Sequence, residues 1–595
     1  MALGLLNSFR MITKWLAFIF AVLLLLPITA CNPQTLLANP DAPPQLTLSI
    51  LSDPKIFNPV LAGDKTSADV GRMIFDGLVS ANPITGELDP ALAESWEISE
   101  DDLEIIFTLR PQLKWSDGHP LTANDVVFTY NQLYFNPEIP SGTRDVLKIG
   151  QSGALPEVSK LNDSQVKFTL PEPFAPFLGT TVTEILPAHI LSKTVEQKDR
   201  DGKLLFLSTW TVNTPPEKIV ASSAYKIASY TTAQRVVFVE NPYYWKKDVV
   251  DEDIPYIKKI VWEIVESTDN ALLQFRSGSL DAIGVSPQNF SLLKKEEDKG
   301  NFTIYNGGEA YGITFIMFNL NQGEKNGKPV VNPIKSDWFN NVKFRQAVSY
   351  GIDRERMIKN IYRGLGEPQL SNVSKQSPFF YDGLAGYPYN PEKAKELLLE
   401  AGFTYNKKGQ LFDKDGNLVS FVLNAGTGSA TGEAIGNQIE QDLAKIGIKV
   451  NFRTINFNVL IGKTDNSLDW DSILLSFTGG NEPNDGFNLW SPDGTSHLFN
   501  QPAQGLEGRV VADWEAEIGR LYIEAARELD EEKRKLIYAE VQQIVSEKLP
   551  VIFLVNPLSM AAVRNKIEGV EYSALGGAFW NLDELKITKK SDNRN

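Results

Sequence analysis

Three histidines, His119, His189 and His497, are the only imidazoles in a chain of 595 residues, and Cys31 is its only thiol. Hydrolytic chemistry needs a nucleophile held beside a base, and a metal centre needs several His, Cys, Asp or Glu ligands converging at short spacings. The histidines share no helical spacing, and neither H-E-x-x-H nor G-x-S-x-G occurs. A single thiol makes neither an intramolecular disulfide nor a thiolate zinc site. Gly426-Thr-Gly428-Ser-Ala-Thr-Gly432 approaches a dinucleotide-binding loop, but its third glycine comes one residue late, and it reads as a turn. Gly462-Lys463-Thr464 ends like a phosphate loop, yet Phe457 stands where that loop needs its first glycine. The acidic pairs are those of any acidic surface. The residues therefore predict no enzyme, no cofactor and no metal.

The elements around them belong to a large mixed protein. Apolar residues make up 42% and charged residues 22%, enough for packed cores and a solvated surface. Lys and Arg number 58 against 74 Asp and Glu, a net charge of −16, which speaks against a nucleic-acid partner because phosphate contacts need a basic face. Arg10 and Lys14 precede the uncharged run Trp15–Leu26, which Pro27 breaks. A basic start, a short apolar run and small residues form a secretory address. The run is shorter than the roughly 20 residues that span a bilayer. Ile28-Thr29-Ala30-Cys31 resembles the lipobox of bacterial lipoproteins, which implies that Cys31 takes a diacylglycerol and becomes the N-terminus. Residues 1–30 are thus expected as a signal peptide and 31–44, rich in proline, as a tether.

Along the body, Gln45–Ile50, Leu103–Leu109, Val166–Leu170, Arg235–Glu240, Ile260–Val265 and Lys449–Ile455 carry strand patterning. Helical spacing marks Ser67–Gly77, Asp269–Phe275, Phe344–Tyr350, Pro391–Ala401 and Ala434–Ile446. Thr122 and Asp125 suit a helix cap, and 513–548 suits two helices broken near Asp530. The class is α/β, without a solenoid period.

From Ala93 onward the order of motifs is distinctive. Ala93-Glu-Ser-Trp96, Ile105-Ile-Phe-Thr-Leu-Arg110, Lys114-Trp-Ser-Asp-Gly118 and Pro120-Leu-Thr-Ala-Asn-Asp-Val-Val-Phe128 resemble the signature of the peptide/nickel family of ABC-transporter substrate-binding proteins, family 5. Asn241-Pro-Tyr-Tyr-Trp245, Phe275 with Ser277–Asp281, Val342–Ser349 with Ile352-Asp-Arg354, and Tyr389–Lys395 continue the match, which covers about 45–590.

The resemblance implies a two-lobed periplasmic-binding-protein-like fold, type II, of the large peptide-binding subclass, with a hinged ligand cleft. Lobe I is expected at 45–310 with an extra subdomain at 79–216. Lobe II is expected at 311–549, and 550–595 returns to lobe I and forms a tail. It also implies an extracytoplasmic receptor, periplasmic or at the cell surface, lipid-anchored and monomeric. Such a receptor captures short peptides for an ABC permease and ATPase complex. A non-peptide ligand of the same fold, an oligosaccharide or a metal chelate, is the alternative, and a secreted hydrolase is the alternative of another class.

Peptide binders of this family carry a W-x-x-D-like segment whose aspartate pairs with the peptide amine. Aligned here, Phe477 takes the tryptophan place, Thr478 and Gly479 follow, and Gly480 takes the place of the aspartate. Asn481, Glu482 and Trp490 are expected in the same cleft, with Glu482 and Asp485 as substitute carboxylates. From lobe I the resemblance brings Phe57, Asn58 and Thr66.

Overall fold

A computed structural model describes residues 45–150, 152–247 and 254–588. Cys31, the signal segment, the tether and the end of the tail lie outside the described residues. No helix among the described residues is long and apolar enough to cross a membrane.

Gln45–Ile50 pairs in parallel with Lys259–Ile264, and the hairpin of Tyr225–Thr231 and Arg235–Glu240 completes that sheet. A second, antiparallel sheet orders Ala93–Ile98, Glu104–Leu109, Gln165–Thr169 and Glu157–Asn162. Burial alternates along Glu104–Leu109, as one buried face requires. Beneath it lie Phe107 and the fully buried Trp115, while Trp96 packs half-buried against Phe107. Thr122 and Asp125 form the expected capping box of the helix Ala123–Phe128. The helix expected at 67–77 instead runs Lys65–Ile74, because the Asp64 carboxylate accepts from Ser67 N–H and caps it early. Gly77 then lies flat against the backbone of Thr181 and Val182.

A five-stranded sheet forms the other lobe, in the order Lys449–Ile455, Ser420–Gly426, Ser472–Phe477, Ile313–Phe318, Val551–Phe553. Ile313–Phe318 is apolar except for Thr314, and Phe315–Phe318 are buried in succession because a central strand is covered on both faces. Helices Asp513–Arg527 and Glu531–Lys548 flank it, separated where Asp530 caps the second by accepting from Glu532 and Lys533 N–H.

Two large cores result. One is built from residues between Ile313 and Val555, a continuous stretch. The other draws on Leu46 to Ala282 and again on Val563 to Leu585. The chain passes between sheets at 310–312 and at Leu554. Phe302–Glu309 pairs with Val555–Arg564 on one side of that passage, and Ile313–Phe318 pairs with Val551–Phe553 on the other. The two passages are stitched together: Ala310 N–H donates to the Pro557 carbonyl at 2.9 Å and Asn556 Nδ2 to the Ala310 carbonyl at 2.9 Å.

Candidate functional site

Ser472–Phe477 is the strand on which the site is built. Ile313–Phe318 pairs with its whole length, Ile313 opposite Phe477. Ser420–Gly426 pairs only with Ser472–Leu474, so Leu475–Phe477 keep a free edge on that side. An edge of this kind hydrogen-bonds extended backbone. Phe477 is half-buried with its ring 4.9 Å from Phe315, and Thr478 and Gly479 beyond it are exposed.

The two glycines that follow have separate physical causes. A Cβ on Gly479 would overlap the Tyr311 carbonyl oxygen, so the end of the strand touches the passage between sheets. A Cβ on Gly480 would stand 2.9 Å from Asp485 Oδ2. A carboxylate therefore occupies the space that a side chain at 480 would enter, and it arrives from the short 3-10 turn Pro483–Gly486.

Glu482 and Asp485 differ sharply in their surroundings. Glu482 Oε1 accepts from Asn484 N–H at 3.1 Å and caps that turn. Its Oε2 meets Arg534 Nη2 at 2.6 Å, and Tyr538 OH donates to Oε1 at 3.3 Å. Arg534 is buried and its guanidinium lies 4.9 Å over the Phe379 ring. Glu482 is thus already held in an ion pair. No side chain of the described residues donates to the Asp485 carboxylate. It is open to solvent at its surface yet lies deep in protein. Burial, with the charge of Glu482 adding to it, pushes its pKa up to about 7. The nearby Tyr522 hydroxyl is buried, its pKa raised by that burial and further by the charges of Glu482 and Asp485.

The other residues expected in the cleft divide. Asn481 is half-buried; its carbonyl accepts from Ser377 Oγ at 2.6 Å, and its Nδ2 lies 3.5 Å from where a Cβ on Gly86 would stand. The turn 82–87 of the first lobe therefore meets the Asn481 side chain. Thr66 is half-buried and shares a hydrogen bond with Ser52, Oγ to Oγ1, at 3.0 Å. Phe57, Asn58 and Trp490 are packing residues, 1%, 0% and 3% exposed. Phe57 meets Tyr230 edge-on at 5.4 Å, Asn58 Oδ1 accepts from Val60 N–H, and Trp490 packs on Phe499. Aromatic type alone does not separate a cleft wall from a core. The sequence reading missed Arg534, Tyr538, Ser377 and Tyr311; the one legible signal was the one-turn spacing of Arg534 and Tyr538 on a helix.

The histidines and glycine loops are placed too. His119 and His189 stack at 4.0 Å, and His189 Nε2 pairs with Asp117 at 2.8 Å. His497 is buried between the Leu489 carbonyl and Glu515. Ser429, in the glycine-rich loop, caps the helix Ala430–Lys445, and the Gly428 carbonyl accepts from Thr268 N–H at 3.4 Å. No cluster of three or more His, Cys, Asp or Glu among the described residues has metal-binding geometry.

Residues 87–497 match the profile of bacterial extracellular solute-binding proteins, family 5, middle region. The chain belongs to this family. A "Probable ABC transporter-binding protein" of Deinococcus radiodurans is 29% identical over 558 residues, 88% of this chain and 88% of that protein. Among solved structures, the oligopeptide-binding protein AppA of Bacillus subtilis, in complex with a nonapeptide, superposes with a TM-score of 0.77 at 23% identity, covering 92% of this chain and 100% of that one. The periplasmic binding protein MelB of Agrobacterium fabrum, in complex with stachyose, gives 0.78 at 20% identity, covering 93% and 86%. The fold is thus the two-lobed one of family 5 binding proteins.

Proposed function

We propose that the protein is the lipid-anchored receptor of an ABC importer, with lobe I at 45–310 and again beyond Leu554, lobe II at 311–554 because Val551–Phe553 completes its sheet rather than returning at 550, and short peptides as its solutes. The observation that carries the peptide reading is the Asp485 carboxylate, standing where a side chain at 480 would point and left without a donor. A peptide amine in a closed cleft is a desolvated cation and needs such an acceptor. The free edge at Leu475–Phe477 supplies backbone partners, Thr478, Gly479 and Asn481 continue the same wall, and the resemblance adds Thr66 from lobe I. Cys31 behind a lipobox-like segment supports the anchor, and the relatives' roles as binding proteins support a receptor without turnover.

A second reading takes an uncharged, hydroxyl-rich solute. A carboxyl with a pKa of about 7 is partly protonated at neutral pH and both donates and accepts, as a sugar requires. Titration calorimetry decides: tri-alanine, N-acetyl-tri-alanine and stachyose are compared on one preparation. Binding of tri-alanine lost on acetylation supports the peptide reading. Equal binding of both peptides, or of stachyose alone, overturns it.

A further inference from the structure

Away from the glycine pair, the subdomain of lobe I touches lobe II through a second set of contacts. Asp145 is 2% exposed, in the helix Gly142–Val146. Its Oδ2 accepts from the Thr495 backbone N–H at 2.9 Å, and Lys148 Nζ meets its other oxygen at 2.9 Å. Gly142 lies so close to the opposite loop that a Cβ there would stand 3.6 Å from Asn488 Nδ2 and 3.8 Å from Thr495 Oγ1. The cores interleave at the same place. Val146 of the subdomain packs against the core of lobe II, and Ala526 of lobe II is buried in the core of lobe I. Beside it, Ala175 N–H donates to the Ala526 carbonyl at 2.8 Å, and Arg527 pairs with Glu172.

We propose that this patch is a latch: residues 142–146 and 172–175 of the subdomain clasp 488–495 and 526–527 of lobe II and hold the cleft shut. None of these residues makes a hydrogen bond or an ion pair with Asp485, although the helix Gly142–Val146 also touches the turn Pro483–Gly486 that carries it. Their contacts exist only when the lobes have met, so they favour the closed form whatever solute is enclosed. The arrangement separates two jobs. Asp485 and the strand edge select a solute, while the latch sets how much of the protein is closed. The inference rests on the closing-receptor reading but not on the identity of the solute, and its test uses no ligand.

The substitutions Gly142→Cys and Thr495→Cys are introduced together in the full chain. The rate of cross-linking between positions 142 and 495, followed by mass spectrometry of the linked peptides, reports the closed fraction. Arg527→Glu and Glu172→Arg are then added singly and together. Each single reversal is expected to slow cross-linking about 2–5-fold, the range for a half-exposed ion pair, and more at low than at high salt. The double reversal is expected to restore the rate, which a loss of folding would not do. Asp145→Ala is expected to slow it further than either single reversal. A rate unchanged in the single variants, a double reversal that fails to recover it, or no cross-link at all overturns the latch. Failure of the peptide reading is seen separately, in the calorimetry.

Discussion

Asp485 Oδ2 stands 2.9 Å from the point where a side chain on Gly480 would begin. Two positions five residues apart thus compete for one volume, and the carboxylate fills it from the turn side rather than the strand side. A carboxylate at both positions would meet a steric overlap and a like charge.

Asp485→Asn should weaken binding of a free-amine tripeptide by about 2–5 kcal/mol, the range for removing one partner of a desolvated charge pair, and should leave binding of its N-acetyl form unchanged. The exchange Gly480→Asp with Asp485→Gly moves the carboxylate to the strand side without overlap and should recover part of the loss. Calorimetry on the three proteins checks both; equal losses for free and acetylated peptide would rule out an amine contact.

The same carboxylate should make stability depend on pH. An aspartate in the unfolded chain titrates near about 3.9, whereas burial and the charge of Glu482 raise Asp485 to about 7. Because the folded value is the higher one, the stability held by the protonated form is complete below about pH 4 and is lost as pH rises through 7. Asp485→Asn should therefore leave the melting temperature of the ligand-free protein unchanged at pH 4 and raise it at pH 8. Discounted for solvent screening, the gain is about 1 kcal/mol or less. Equal gains at both pH values would assign the effect to something other than ionisation.

Glu482 should behave differently. Glu482→Ala leaves the buried Arg534 guanidinium without its carboxylate, a loss of about 3–5 kcal/mol of stability for a buried pair. Binding per folded molecule should change far less than in Asp485→Asn. Denaturant unfolding alongside calorimetry separates the two effects, and a stable Glu482→Ala protein with lost peptide binding would move the amine contact to Glu482.

Cys31→Ser should release the protein from the membrane fraction or leave its precursor uncut. Mass spectrometry and fractionation read both, and an unchanged mass with unchanged membrane association would dismiss the lipid anchor.

Much of the architecture was legible because it follows from local rules. Thr122 and Asp125 announce a capping box, Asp530 announces a helix break, and the alternation along Lys449–Ile455 announces a strand. The site was legible only by alignment, which led to Gly480 and, of two nearby carboxylates, favoured Glu482 as the amine anchor. The choice depends on Arg534, far along the chain on another helix, which draws Glu482 away and leaves Asp485 alone. Trp490 was expected as a cleft wall for its aromatic ring and Phe57 by the resemblance alone; both are buried, Trp490 against Phe499 and Phe57 against Tyr230, and an aromatic ring suits a wall as well as a core.

The strand Val555–Arg564 lies between Ala282–Gly284 and Phe302–Glu309, at the middle of its sheet. It is also among the last segments of the chain to be made. Whenever the chain is made or threaded from its amino terminus, the sheet of lobe I stays incomplete until lobe II has passed. Lobe II, built from one continuous stretch, is complete before that final strand arrives. The nascent lobe I meanwhile presents two unpaired strand edges to its surroundings, where proteases and aggregation act. A chain cut before Val555 would lack the strand that joins Ala282–Gly284 to Phe302–Glu309.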